Sequence, residues 1–186
     1  MYLHGALQLQ SAFNPIEFSV AVGTYLAINR QTVTDRFLAS RCSHLLMVDG
    51  DIGFGRAAVQ KLLEVNVPMV SGMYLQRNGE AIVPAEVIET GGADHDVLLD
   101  CFCVPAGFLL LQRELLERIR DAQPTDPIWS MSYGPAGYVG EDVHFCRKVR
   151  SLGENCWLHP LVMVDHVGEV VFKLPKEGVA MPRFKR

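Results

Sequence analysis

The stretch HLLMVDGDIGFG, residues 44 to 55, constrains the fold of this chain more than any other. Four apolar residues, Leu45 to Val48, end abruptly in Asp49, Gly50 and Asp51. A run of this kind closed by a turn signal predicts a strand buried on both faces, as in the middle of a parallel or mixed sheet. Side chains two apart on an extended chain point the same way, so Asp49 and Asp51 are expected to face one spot beyond the strand's carboxyl end. Open α/β sheets bind their ligands there. Two converging carboxylates repel unless a proton or a hard divalent ion such as Mg2+ or Mn2+ lies between them. The same letters also fit a plain acidic turn, in which Asp accepts hydrogen bonds from turn amides.

Around this strand the chain alternates between two periodicities. IEFSVAVG, from Ile16, alternates as a strand does, and Thr24 to Arg41 fits a helix with Leu26, Val33, Phe37 and Leu38 inward. After the acidic strand come a helix over 57–65, a strand VPMVSGMYL and a strand over 97–104. Phe108 to Leu111 then continues as strand or turn, followed by the helix RELLERIRDA with Leu115, Leu116 and Ile119 inward. Tyr2 to Gln10 reads as a short opening helix. This alternation predicts an α/β fold, a three-layer α/β/α sandwich on a mainly parallel sheet. At 186 residues one domain spanning 1–186 is expected.

Composition narrows the function classes. A net charge of -4 gives no reason to expect a nucleic-acid partner. No apolar run approaches the ~20 residues that span a bilayer, and the start lacks the layout of a secretion signal, so a cytoplasmic protein without a transmembrane segment is expected. Five cysteines without a Cys-x-x-Cys pair read as reduced core thiols rather than a zinc site. The basic tail, with Lys173, Lys176, Arg183, Lys185 and Arg186, reads as a disordered terminus over 173–186 or as a segment that folds back to neutralise diphosphate.

Two further segments carry polar chemistry. QPTDPIWSMSYGPAGYVG, residues 123 to 140, holds three prolines, three glycines and the exposed-looking aromatics Trp129, Tyr133 and Tyr138. A long irregular loop in a compact domain is commonly functional, and flat rings suit sugar or base faces. Next comes GEDVHFCRKVRSLG, whose helix over 142–152 starts at Glu141 and Asp142 with Val143, Cys146 and Val149 inward, and stops at Gly153. Acids at a helix start complement the dipole and also suit a cleft. Near the end, NCWLHPLVMVDHVG offers two short strands, the second closing in Asp165 and His166. A histidine at a strand end is either a surface residue or a ligand.

In their order along the chain, HLLMVDGDIGF, VPAGFLLLQRELLERI, GEDVHFCRKVRSLG and VDHVG resemble the motifs of the GT-A-fold glycosyltransferases, and within them the family 2-like enzymes. The resemblance covers roughly residues 24 to 168. It implies a metal-dependent, inverting hexosyltransferase-like enzyme that moves a sugar from a nucleoside-diphosphate sugar, UDP- or GDP-linked, to a hydroxyl of a glycan or other acceptor. Asp51 and His166 would hold Mn2+ or Mg2+ at the diphosphate, Asp49 would lie nearer the ribose, and Asp142 would be the general base. Glu141 would orient Asp142, Gly107 would let the backbone approach the acceptor, and Trp129 and Tyr133 would shape the acceptor site. Family members begin with a strand that grips the nucleobase, whereas this chain opens on a helix-like segment. The resemblance then implies either an incomplete base pocket built from Ser19–Gly23 and Arg30 alone, or a fragment or unusually short member of the family. Two alternatives are a non-catalytic sugar- or nucleotide-binding module, and a haloacid-dehalogenase-like phosphatase, whose opening MVDGDIG also resembles but whose Thr or Val is replaced by Gly53.

Overall fold

A computed structural model of the chain describes residues 16–75, 87–90, 98–134, 137–168 and 171–172. The opening helix expected over 2–10 and the tail over 173–186 lie outside these residues. Six strands build the main sheet, in the spatial order β1 (His44–Val48), β6 (Phe108–Gln112), β3 (Met69–Met73), β9 (Cys156–Met163), β5 (Leu99–Cys101) and β4 (Val87–Thr90). A small sheet joins β11 (Val171–Phe172), β10 (Asp165–Val167) and β2 (Ile52–Gly53), and β7 (Ser132–Gly134) pairs with β8 (Gly137–Val139) as a hairpin. The described helices are α1 (Leu26–Ala39), α2 (Arg56–Glu64), α3 (Arg113–Ala122) and α4 (Glu141–Ser151). None of them is long and apolar enough to cross a membrane.

The expected mainly parallel three-layer sandwich of the GT-A type is overturned by the strand directions. Among the described residues of the main sheet only β3 and β9 pair in parallel, while β1 with β6, β6 with β3, β9 with β5 and β5 with β4 are antiparallel. A helical crossover does carry β1 through α2 to β3, as the alternating pattern foretells. But β6 follows β5 with no helix between them and inserts between β1 and β3, running against both. Hydrophobic periodicity distinguishes strand from helix and carries no information about the slot or direction a strand takes.

Apolar side chains line both faces of this sheet. On one face Leu45, Met47, Met69, Leu109, Leu111 and Leu158 pack with Phe37 of α1, Leu115, Leu116 and Ile119 of α3, and Phe145 and Val149 of α4. On the other, Val70, Phe108, Leu110 and Trp157 pack with Val59 and Leu62 of α2. The inward stripe expected for α3 is therefore buried in full. In α1 the stripe is shifted: Phe37 is buried and Val33 and Leu38 pack against the core, but Leu26 is exposed while Ala27, Arg30 and Thr34 are buried. Gly153 ends α4 at φ 78°, and its N–H donates to the Arg150 carbonyl at 2.9 Å, a stop that favours glycine.

Two strand expectations are not met. Ile16–Gly23 forms no strand despite its alternation, and Phe18, Val20 and Val22 stand exposed. Alternation favours a strand only where a neighbour pairs with the backbone and buries one face. Instead Arg36 Nη1 donates to Ser19 Oγ at 3.2 Å and to the Val20 carbonyl at 2.8 Å. β1 for its part is an edge strand of the sheet, with Leu45 and Met47 buried and Leu46 and Val48 half-buried.

Candidate functional site

β1, β3 and β9 run in one direction, so their carboxyl ends open on the same side of the sheet, and the amino end of antiparallel β6 meets them there. That arrangement brings together Asp49 and Asp51 after β1, Tyr74 and Leu75 after β3, His166 after β9 and Gly107 before β6. The turn after β1 is locked from two sides. Asp49 N–H donates to the Gly107 carbonyl at 2.9 Å, and Ile52 N–H donates back to the Asp49 carbonyl at 3.0 Å.

Pairing of β2 with β10 sets Ile52 opposite His166, and Val167 N–H donates to the Asp51 carbonyl at 2.7 Å. Residues 51 and 166 are thereby neighbours, with His166 Nε2 at 3.2 Å from Asp51 Oδ2. The other ring nitrogen, Nδ1, lies 2.8 Å from the Leu75 carbonyl. A carbonyl oxygen only accepts, so Nδ1 carries the hydrogen, and a neutral ring then turns the lone pair of Nε2 toward the carboxylate. A ring so oriented and the Asp51 carboxylate, 3.2 Å apart, are a pair of donors able to hold a metal ion between them. Metal-ligating histidines commonly donate their second N–H to a backbone carbonyl in this way. Two ligands about 2.1 Å from one ion at right angles stand roughly 3 Å apart, so the spacing fits as well. Among the described residues no group of three or more His, Cys, Asp or Glu side chains forms a ready-made cage. A site with two protein donors suits an ion that substrate phosphates and water also hold.

The second half of the site is built on Arg30. It is buried in α1, where its guanidinium reaches Asp49 at 3.2 Å, pairs with Glu141 at the start of α4, and lies 5.5 Å from the ring centre of Trp129. The expectation that Arg30 lines a base pocket is not what the contacts show, since its donors face two carboxylates. Glu141 is buried and holds Arg30, which in turn holds Asp49. Asp142, beside it at the amino end of α4, is half-buried, and its Oδ1 accepts the Val143 N–H at 2.8 Å.

Tyr74 ties the two halves together. Its hydroxyl accepts the Gly107 N–H at 3.1 Å and its ring meets His166 edge-on at 5.5 Å. Burial, then the negative charge of Asp49 and more weakly that of Asp142, holds its hydroxyl well above the usual tyrosine range, so it stays protonated. A side chain at 107 would run into the Tyr74 hydroxyl and come within 3.0 Å of Asp49 Oδ2. Glycine is thus required at 107 by Tyr74 and Asp49, the close neighbours of its backbone. The sequence reading missed Tyr74; its one signal was an aromatic with a polar tip at the carboxyl end of a strand.

The described part of the loop over 123–140 packs partly into the core. Trp129, expected to be exposed and to shape an acceptor site, is 2% exposed. Its ring stacks on Phe145 at 4.1 Å, and its Nε1–H donates to Thr34 Oγ1 at 2.9 Å. Pro127, Ile128 and Trp129 therefore pin the loop into the core, with Ile128 itself buried and Lys148 donating to the Pro127 carbonyl at 2.5 Å. Tyr133 is exposed on the β7–β8 hairpin, outside the Arg30 and His166 clusters.

No protein-family model matches this chain, and no curated protein matches it. Among solved structures it is similar to the crystal structure of A197 from STIV, with a TM-score of 0.59 and 18% identity over 99% of this chain and 91% of that one. A likeness at that identity is one of fold alone, so the chemistry has to be argued from the site.

Proposed function

We propose that this chain is a metal-dependent inverting glycosyltransferase that uses a nucleoside-diphosphate sugar as donor. The observation that carries the proposal is the placement of His166 Nε2 3.2 Å from Asp51 Oδ2 while the second imidazole nitrogen is tied to the Leu75 carbonyl. Asp51 and His166 would hold Mn2+ or Mg2+. When bound, such an ion offsets the charge that develops on a departing nucleoside diphosphate. Asp49 is fixed by Arg30 and by its own backbone bond to Gly107, so its carboxylate is a preorganised acceptor for ribose hydroxyls. Asp142 commits Oδ1 to the helix amide and keeps Oδ2 for the proton of an acceptor hydroxyl, the role of a general base. Glu141, through Arg30, holds the start of α4 against the acidic turn. The ion pair between Arg30 and Asp49 argues against the phosphatase reading, in which Asp49 is an unencumbered nucleophile.

Calorimetric titration of Mn2+, then of UDP and GDP with and without the ion, tests the reading. Asp51→Ala and His166→Ala are each expected to weaken Mn2+ binding by at least roughly 10–100-fold, the loss that even a supporting partner of a ligand produces. Asp142→Asn is expected to keep nucleotide binding and lose turnover. Unchanged Mn2+ affinity in both the Asp51 and His166 variants would overturn the metal assignment, and normal turnover in Asp142→Asn would overturn the base.

A further inference from the structure

The hairpin formed by β7 and β8 leads directly into α4 and the site. Tyr133 and Tyr138 are directly opposite partners in it, so both rings rise from the same face. The residues on the other face include Ser132, whose Oγ is hydrogen-bonded to His144 Nε2 of α4 at 2.7 Å. The back of the hairpin is thus fastened to the helix, and the tyrosine face is the one left open. Tyr133 is 86% exposed and Tyr138 63%, and Met131, which accepts the Tyr138 hydroxyl at 2.8 Å, is 38% exposed.

Their position relative to Asp142 is given by Gly140. A Cβ placed on Gly140 would lie 3.0 Å from Asp142 Oδ1 and 3.9 Å from Tyr138 Cε1, so the carboxylate and the ring edge border the same small space. The whole stretch from Met131 to Gly140 carries no charged residue. A polyanion or a phosphorylated acceptor has nothing to pair with there. A pyranose does: its C–H face is apolar and its rim carries hydroxyls, which matches an aromatic platform beside a carboxylate.

We propose that Tyr133 and Tyr138 form a stacking platform for a neutral sugar ring, so that the acceptor is a glycan whose reacting hydroxyl points toward Asp142. The proposal rests on the transferase reading for the role of Asp142 and adds to it the chemical class of the acceptor. Trp129, which composition marked for this task, is occupied in the core; Tyr138 takes its place beside Tyr133.

The test is equilibrium binding of a panel of neutral tetrasaccharides (gluco-, manno- and N-acetylglucosamine-based) to the whole chain without metal or nucleotide. Wild type, Tyr133→Ala, Tyr138→Ala and Tyr133→Phe are compared, with thermal melts confirming that each variant is folded. At least one saccharide is expected to bind wild type and Tyr133→Phe alike and to lose about tenfold or more in each alanine variant, the loss typical of a central aromatic contact. Absence of binding by every saccharide, or binding as tight as wild type in both alanine variants, overturns the platform. Because donor and metal are left out, saccharide binding beside a flat Mn2+ and nucleotide titration supports the platform and counts only against the transferase reading.

Discussion

Arg30 offers the sharpest test of how the site is held. Its guanidinium side chain is 8% exposed, Glu141 is 10% exposed, and the two pair across 111 residues of sequence. Arg30→Met keeps most of the aliphatic stem but leaves a buried carboxylate without its counter-charge. Removing one partner of a buried ion pair costs about 3–5 kcal/mol, most of it the desolvation of the abandoned charge. The arm to Asp49 adds little, because that carboxylate is 33% exposed and solvent screens it to no more than about 1 kcal/mol. Arg30 Nε makes no hydrogen bond in its buried place, so its loss returns part of the cost. A net destabilisation of about 3–4 kcal/mol follows. At roughly 2–4 °C per kcal/mol for a domain of this size, the melting temperature should fall by about 6–16 °C. Urea unfolding and thermal melts followed by circular dichroism near neutral pH read this directly. The double variant Arg30→Met with Glu141→Leu removes both charges and should recover most of the loss. If Arg30→Met melted within about 2 °C of wild type, or if the double variant were less stable than the single one, the claim of a buried charge pair at the base of α4 would be wrong.

Three further outcomes are expected. Trp129→Ala should cost about 3–5 kcal/mol by emptying the space against Phe145, whereas Tyr133→Ala should leave the melting temperature within about 1 °C; equal effects in the two would contradict the opposite burial of these rings. Tyr74→Phe removes the acceptor of the buried Gly107 N–H and should cost about 1–3 kcal/mol by urea unfolding, an unchanged midpoint being the contrary result. Burial, and then the positive charge of Lys61, holds His159 below its usual 6.5, and its Nδ1 accepts the Leu161 N–H. The unfolded chain takes up a proton near pH 6.5 that the folded chain resists, so the contribution is fully present above that pH and is lost as pH falls below it. His159→Gln should flatten part of that decline between about pH 7 and pH 5, while His44, shifted down by burial, keeps its share. The same slope in variant and wild type would refute this.

Several elements of the candidate site were legible as letters. Asp49, Gly50 and Asp51 closing an apolar run marked a strand end and the acids at 141 and 142 marked a helix start, and each lies in the structure at such a terminus; Asp165 and His166, expected to close a strand, instead begin and occupy the short β10. Others were not. Tyr74 reads as one more residue of a buried strand, and Arg30 was marked for a base pocket rather than for two carboxylates, because their partners lie 33 and 111 positions away. Trp129 was misjudged because a loop rich in proline and glycine gives no local sign that its indole is buried in the core.

Read alone, the amino-acid order determines what each segment is locally: which residues alternate, which recur every third or fourth place, and where carboxylates, glycines and an imidazole end an element. Those properties depend on near neighbours in the chain, so the leucine stripe of α3 and the acidic start of α4 emerge as expected. Tertiary structure alone decided that β6 slots antiparallel between β1 and β3, that β10 carries His166 to Asp51, and that Arg30 bridges two acids. Strand partners and strand directions follow from how whole faces are buried against each other, and that energy belongs to pairs of distant segments rather than to any one of them.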